Sequence, residues 1–215
     1  MEGRPVRRVA IALVALSAVA ALLASTGVAA PRKPVRAPTR VERGLRGEAA
    51  SLRAPRHLPV GTVAAPRQLA VALSQVESDL LGDINDLRAR HGLAPLHLSA
   101  PLSAAARAHT QEMAADGYFE HESADGTAFW KRIQAFYPQG NRSSWSVGEN
   151  LLYAAPDIDA QGALESWLES PPHRANLLSH KWHDIGVAVI HATDAPGEFH
   201  GQDVTLMTTD FGVRR

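Results

Sequence analysis

Two of the ten His in this 215-residue chain stand where an imidazole could do chemistry. His121 follows Tyr118-Phe119-Glu120, just after a helical stretch closes. His173 follows Ser170-Pro171-Pro172, in the first turn of another helix. The positive end of the helix dipole disfavours imidazolium there, so a neutral ring is predicted, able to accept a proton or bind a metal. Glu149 sits in Gly148-Glu149-Asn150, between Val147 and Leu151-Leu152 of an apolar run. A carboxylate in such a run is costly unless it has partners. It is therefore either a functional group or a structural carboxylate bonded to backbone N–H groups. His109 shares a helix face with Leu102, Ala106 and Met113 and reads as a buried, hydrogen-bonded core His. His57, His91, His97, His180, His183, His191 and His200 fall in the spacer, in turns and loops, or at solvent-facing strand positions. The chain has no Cys, which excludes a thiol nucleophile, a disulfide scaffold and any Cys-ligated metal. A transition-metal site would have to use imidazole and carboxylate. There is no HExxH and no evident nucleophilic Ser in a strained turn.

The elements that must position these residues begin near Leu69. Val76, Leu80, Ile84 and Leu87 recur at helical spacing, and Gly92 stops that helix. Ser99 is a good N-cap for a second helix, with Pro101 in its first turn and Asp116-Gly117 at its close. A short helix is predicted near residues 127–137, an extended segment over 145–153, and a third clear helix over 159–168. Ser170 caps the short helix that carries His173. Residues 185–190 and 204–211 read as strands, with a turn at Asp194-Ala195-Pro196-Gly197 between them. Helices come first and strands later, which is an α+β order, and the roughly 140 residues are enough for one core.

What precedes is different material. Arg4, Arg7 and Arg8 lead into an uncharged apolar run from Val9 to Ala24, and Val28-Ala29-Ala30 offers a cleavage site after Ala30. Residues 1–30 therefore read as a signal peptide, or as a retained anchor, since the uncharged stretch is also long enough to span a bilayer. Either way the rest lies outside the cytoplasm, and an exported protein without Cys suits a bacterial envelope or medium. Residues 31–70 form a Pro-rich basic linker, too poor in large apolar residues to fold. Its role is reach and solubility, or adhesion of residues 31–67 to anionic cell-wall polymer or a membrane surface. Residues 71–215 form the domain. The formal net charge is zero, but residues 1–70 carry 12 Lys and Arg against 3 Asp and Glu, leaving 10 against 19 in residues 71–215. So acidic a domain makes nucleic acid an improbable partner.

Four pieces, in order, resemble the CAP superfamily, also called the SCP-like or cysteine-rich secretory, antigen 5 and pathogenesis-related-1 family. They are LGDINDLRARHG from Leu81, AARAHTQEMAADGYFEH ending at His121, Gly148-Glu149-Asn150-Leu151, and WLESPPHRANLL from Trp167. Ile185-Gly186-Val187 and a closing Phe211-Gly212 follow. The likeness covers roughly residues 76–213 and is nearest the Cys-free exported bacterial members.

The resemblance implies an α-β-α sandwich with a central cleft lined by two His and two Glu, which in several members binds a divalent cation such as zinc. By motif, His121, Glu149 and His173 carry over. The family's second Glu would fall at Ser170. Glu169 is one residue away, about 100° round the helix, and is a weak fourth candidate. Two His and a carboxylate could hold a zinc with water in the fourth place. Three functions follow: a non-catalytic domain whose cleft binds a small apolar ligand or a divalent cation at the envelope, a metal-dependent hydrolase acting through His121, Glu149 and His173, or a wall-organising protein attached by its basic arm. His121, Glu149 and His173 are expected within one solvent-reachable cleft, close enough to share a cation or a water, with Ser170 as a helix cap facing away from that cation.

Overall fold

A computed structural model describes residues 10–16 and 73–215, in which one five-stranded sheet lies between two layers of helices. In chain order the elements are β1 (Ala10–Leu16), α1 (Gln75–Arg90), β2 (His97–Leu98), α2 (Ala100–Asp116), α3 (Phe129–Phe136), β3 (Trp145–Ala155), α4 (Ala160–Glu169), α5 (Pro171–Leu177), β4 (Asp184–Ala195) and β5 (Gln202–Arg214). A single 3-10 turn, Gly197–Phe199, sits in the β4–β5 hairpin. The strand order is β1-β3-β5-β4-β2. Only the β2–β4 pair is parallel.

Local chemistry fixes the helix ends. Ser74 and Glu77 close a capping box on α1: the Ser74 hydroxyl accepts from the Glu77 N–H, and the Glu77 carboxylate accepts from the Ser74 N–H at 2.8 Å. Gly117 ends α2 with φ 73°, in the left-handed region that glycine favours. Asp159 caps α4 through Gly162 N–H at 2.8 Å. Two predicted caps work differently. Ser99 makes no side-chain cap, and its N–H donates to Ile185 O at 2.8 Å, tying the start of α2 to β4. Ser170 occupies the cap position of α5 without capping it through its side chain.

Strand alternation then divides the core. Leu152, Ile185, Val187, Met207 and Phe211 face α1, α4 and α5, packing against Leu80, Ile84, Leu164, Trp167 and Leu177. Leu151, Val204 and Leu206 pack with Met113 and Phe119 on the other side. Val147 joins Leu102, Ala105, Phe129 and Ile133 of α2 and α3 there. The predicted α+β class and α-β-α sandwich are what the chain forms. The short β2 carries no signal in the sequence, since two residues show no periodicity.

The β4 edge is closed by side chains as well as by β2, whose pairing reaches only Asp184 and Ile185. Further along, Val187 N–H donates to Ser103 Oγ at 3.4 Å and Val189 N–H to Glu77 Oε1 at 3.1 Å. The same Glu77 oxygen accepts from Arg107 of α2 at 2.5 Å, so one buried carboxylate joins α1, α2 and β4. No described helix is long and apolar enough to cross a membrane. Within the predicted leader, residues 10–16 form β1 against β3. The Ala30 cleavage site and the basic linker lie outside the described residues.

Candidate functional site

Glu149 is the centre of a buried cluster built from four elements. β3 brings it to the α2–α3 side of the sheet, where it is 0% exposed. The loop after α2 carries His121, whose Nδ1–H donates to Glu149 Oε1 at 2.7 Å. α3 carries Arg132, whose Nη2 donates to Glu149 Oε2 while Nη1 donates to the His121 carbonyl at 2.8 Å. Arg132 thus binds both the carboxylate and the backbone of the residue that the carboxylate holds. The Phe129 ring lies beside the His121 ring, with centroids 5.9 Å apart. His121 and Glu149 are therefore brought together, as their motifs predicted.

Asp210 stands opposite Glu149 on β5. It is also 0% exposed, and neither of its carboxyl oxygens meets a hydrogen-bond donor among the described residues. Burial and the adjoining Glu149 charge push its carboxyl well above the usual range, against the pull of Arg132, so it keeps its proton. Glu149 goes the other way. Burial alone would raise its carboxyl, but the Arg132 charge and the His121 hydrogen bond outweigh burial and hold it below the usual range. The two carboxyls are thus pushed in opposite directions, and the Arg132 guanidinium donates to Glu149 alone of the two.

His173 meets β3 at the neighbouring residue, Asn150. Its carbonyl accepts from Asn150 Nδ2 at 3.2 Å, and Asn176 Nδ2 donates to Asn150 Oδ1 at 2.8 Å and to the Glu149 carbonyl at 3.2 Å. Successive residues of β3 thus serve the two candidates: Glu149 holds His121, and Asn150 holds the backbone of His173. The His173 ring is engaged at Nδ1 by Ser170 Oγ at 2.7 Å. The expectation that Ser170 only caps the helix is corrected here, because its hydroxyl is spent on His173. The position where the resemblance expects a second carboxylate thus carries a neutral hydroxyl bonded to the His173 ring. Glu169 lies exposed at the end of α4, in none of these bonds.

His109 is the core His that its position predicted. It is buried, and its Nε2–H donates to the Glu120 carbonyl at 2.9 Å. Burial lowers its imidazole below the ordinary range, so it is neutral. Among the described residues no group of three His, Asp or Glu is gathered as a metal would need. Both oxygens of Glu149 are already taken by His121 and Arg132. A cation held directly by Glu149 together with both imidazoles does not fit this donor set.

The sandwich and the buried imidazole–carboxylate pair at its centre define a class, and the comparisons place the chain in it. The model of the CAP cysteine-rich secretory protein family matches residues 81–203. The chain belongs to that family. It is 32% identical over 99 residues to the uncharacterized membrane protein YlbC of Bacillus subtilis, an overlap of 46% of this chain and 27% of that one. The chain thus spans well under half the length of this relative. Among solved structures, an outer surface protein of Borrelia burgdorferi superposes with a TM-score of 0.53 at 22% identity, over 67% of this chain and 97% of that one, and supports the fold. An extracellular SCP-domain protein of Bacillus anthracis is 26% identical with a TM-score of 0.49, over 68% of this chain and 45% of that one.

Proposed function

We propose that this is an exported binding protein, in which His121 and His173 recognise a small ligand or a divalent cation outside the cytoplasm. The observation that carries the reading is the way the two rings are held. Each is engaged at Nδ1 by an oxygen of this chain, Glu149 Oε1 and Ser170 Oγ. A carboxylate or hydroxyl behind an imidazole fixes ring orientation, and a carboxylate also sets the tautomer, as in the outer shell of metal-binding His. In this reading the two imidazoles would hold the cation, with Glu149 and Ser170 orienting them from Nδ1. The cation supplies positive charge to attract an anionic group, and Arg132 keeps Glu149 ionised behind His121.

A hydrolase in which Glu149 is the general base gains no support from this geometry. A carboxylate held below its usual range by a guanidinium, with both oxygens occupied, is a weak and hindered base. For location, the reading rests on the leader motif and on the extracellular and outer-surface relatives. The excess of Arg and Lys over residues 31–67 supports attachment of that arm to anionic wall polymer.

The test is elemental analysis of untagged native protein recovered from the culture medium, together with its amino-terminal sequence. The reading predicts a divalent cation at near-stoichiometric level and a chain beginning at Pro31. Metal-free protein that takes up no added zinc would remove the cation from the account.

A further inference from the structure

The two edges of the sheet are finished in opposite ways. On β4 the N–H groups beyond β2 are bonded by Ser103 and Glu77. On β3 the row from Asn150 through Leu151, Leu152, Tyr153 and Ala154 to Ala155 contains no charge and no proline before Pro156. An open strand edge is a template for pairing, and native proteins usually blunt it with charge, proline, a bulge or a cover. The β3 edge has none of the first two, and its pairing with β1 is continuous, without a bulge.

What meets this edge is a segment of the same chain. Ala10–Leu16 pairs with β3 antiparallel, from Ala10 opposite Ala155 to Leu16 opposite Glu149. The pairing ends at the two residues that serve the candidate site: Ala15 is opposite Asn150 and Leu16 is opposite Glu149. β1 also lies against α5, the helix that carries His173. The paired segment, Ala-Ile-Ala-Leu-Val-Ala-Leu, is uncharged and aliphatic. Strand addition of this kind draws its affinity from main-chain hydrogen bonds and its specificity from alternate side chains.

We propose that the outer edge of β3 is a strand-acceptor site whose occupant in the unprocessed chain is its own leader segment, Ala10–Leu16. The leader then has a second role besides addressing the chain: it covers the unblunted edge beside the helix of His173. On the reading above, in which residues 1–30 are removed, processing uncovers that edge and frees it for an extended aliphatic peptide.

Hydrogen exchange on the full unprocessed chain tests this. Successive N–H groups of a strand point to opposite sides, so alternate amides of β3 face β1 and β5. By the same rule one of the variants Leu13→Pro and Val14→Pro removes a donor bonded to β3. Both sets of β3 amides should exchange slowly in the wild-type chain. In at least one proline variant the set facing β1 should speed up by about tenfold or more, while the set facing β5 stays slow and reports an intact fold. Adding a soluble, Lys-tailed peptide of residues 10–16 to that variant should slow the first set again. Fast exchange of the β1-facing set in the wild type, or unchanged slow exchange in both variants, overturns the proposal. None of these readouts depends on cation binding or export, so they fail or succeed separately from the proposed function.

Discussion

Glu149 and Asp210 face each other across β3 and β5 with both carboxyl groups out of solvent, and among the described residues only Glu149 meets hydrogen-bond donors. The pair is tolerable because one member is neutral. That assignment has a pH signature. Asp210 is raised above its unfolded value, so its contribution is complete below the ordinary Asp range and is lost as pH rises toward its folded value. Glu149 is lowered, so its contribution is present above the ordinary Glu range and is lost as pH falls through its folded value.

Asp210→Asn keeps the neutral shape and removes the cost of withholding the Asp charge. The variant should match the wild type below about pH 3 and become progressively more stable than it toward neutral pH. Urea unfolding across that range checks this. A constant offset at every pH would mean that Asp210 is not protonated in the fold.

Arg132→Met should be among the most damaging single changes in the cluster, at about 3–5 kcal/mol, because it strands a buried carboxylate. Adding Glu149→Gln should recover part of the loss, since no buried charge then lacks a partner. The double-mutant cycle in urea measures that coupling.

The candidate site was partly legible in the sequence, and particular residues show why. Glu149 could be singled out because a carboxylate in an apolar run needs a reason. The same argument applies to Asp210 in the run from Val204 to Phe211, where a carboxylate again needs a reason. Arg132 carried no such signal. It sits on an eight-residue helix, and its importance comes from a Glu 17 positions away that only the fold brings near. Ser170 had a sufficient local explanation as a cap, which concealed its bond to His173. The sandwich itself was readable because apolar periodicity marks long helices and strands. β2 was not, because its pairing with β4 is purely tertiary.

Backbone packing gives a contrast between two glycines. A Cβ on Gly186 of β4 would stand 2.1 Å from the Leu102 carbonyl carbon, and the start of α2 is held there by the Ser99 bond to Ile185. Gly186→Ala should cost about 1–3 kcal/mol or more. Gly82 on α1 has nothing within 4 Å, so Gly82→Ala should instead stabilise by about 0.5–1 kcal/mol. Thermal melts of the two variants give opposite signs if the packing is as described.

Ser170→Ala leaves His173 in place but removes the oxygen at its Nδ1. If Ser170 orients a ligating ring, zinc affinity should fall by about tenfold or more with little change in melting temperature. A loss of stability without a loss of affinity would make the bond purely structural.

The most direct test of the binding function is calorimetric titration of zinc into the untagged full chain, alongside His121→Ala and His173→Ala. The account predicts one saturable site in the wild type and its loss in each variant, with the folded far-ultraviolet spectrum retained. Absence of a site in the wild type, or equal binding by all three proteins, would contradict it.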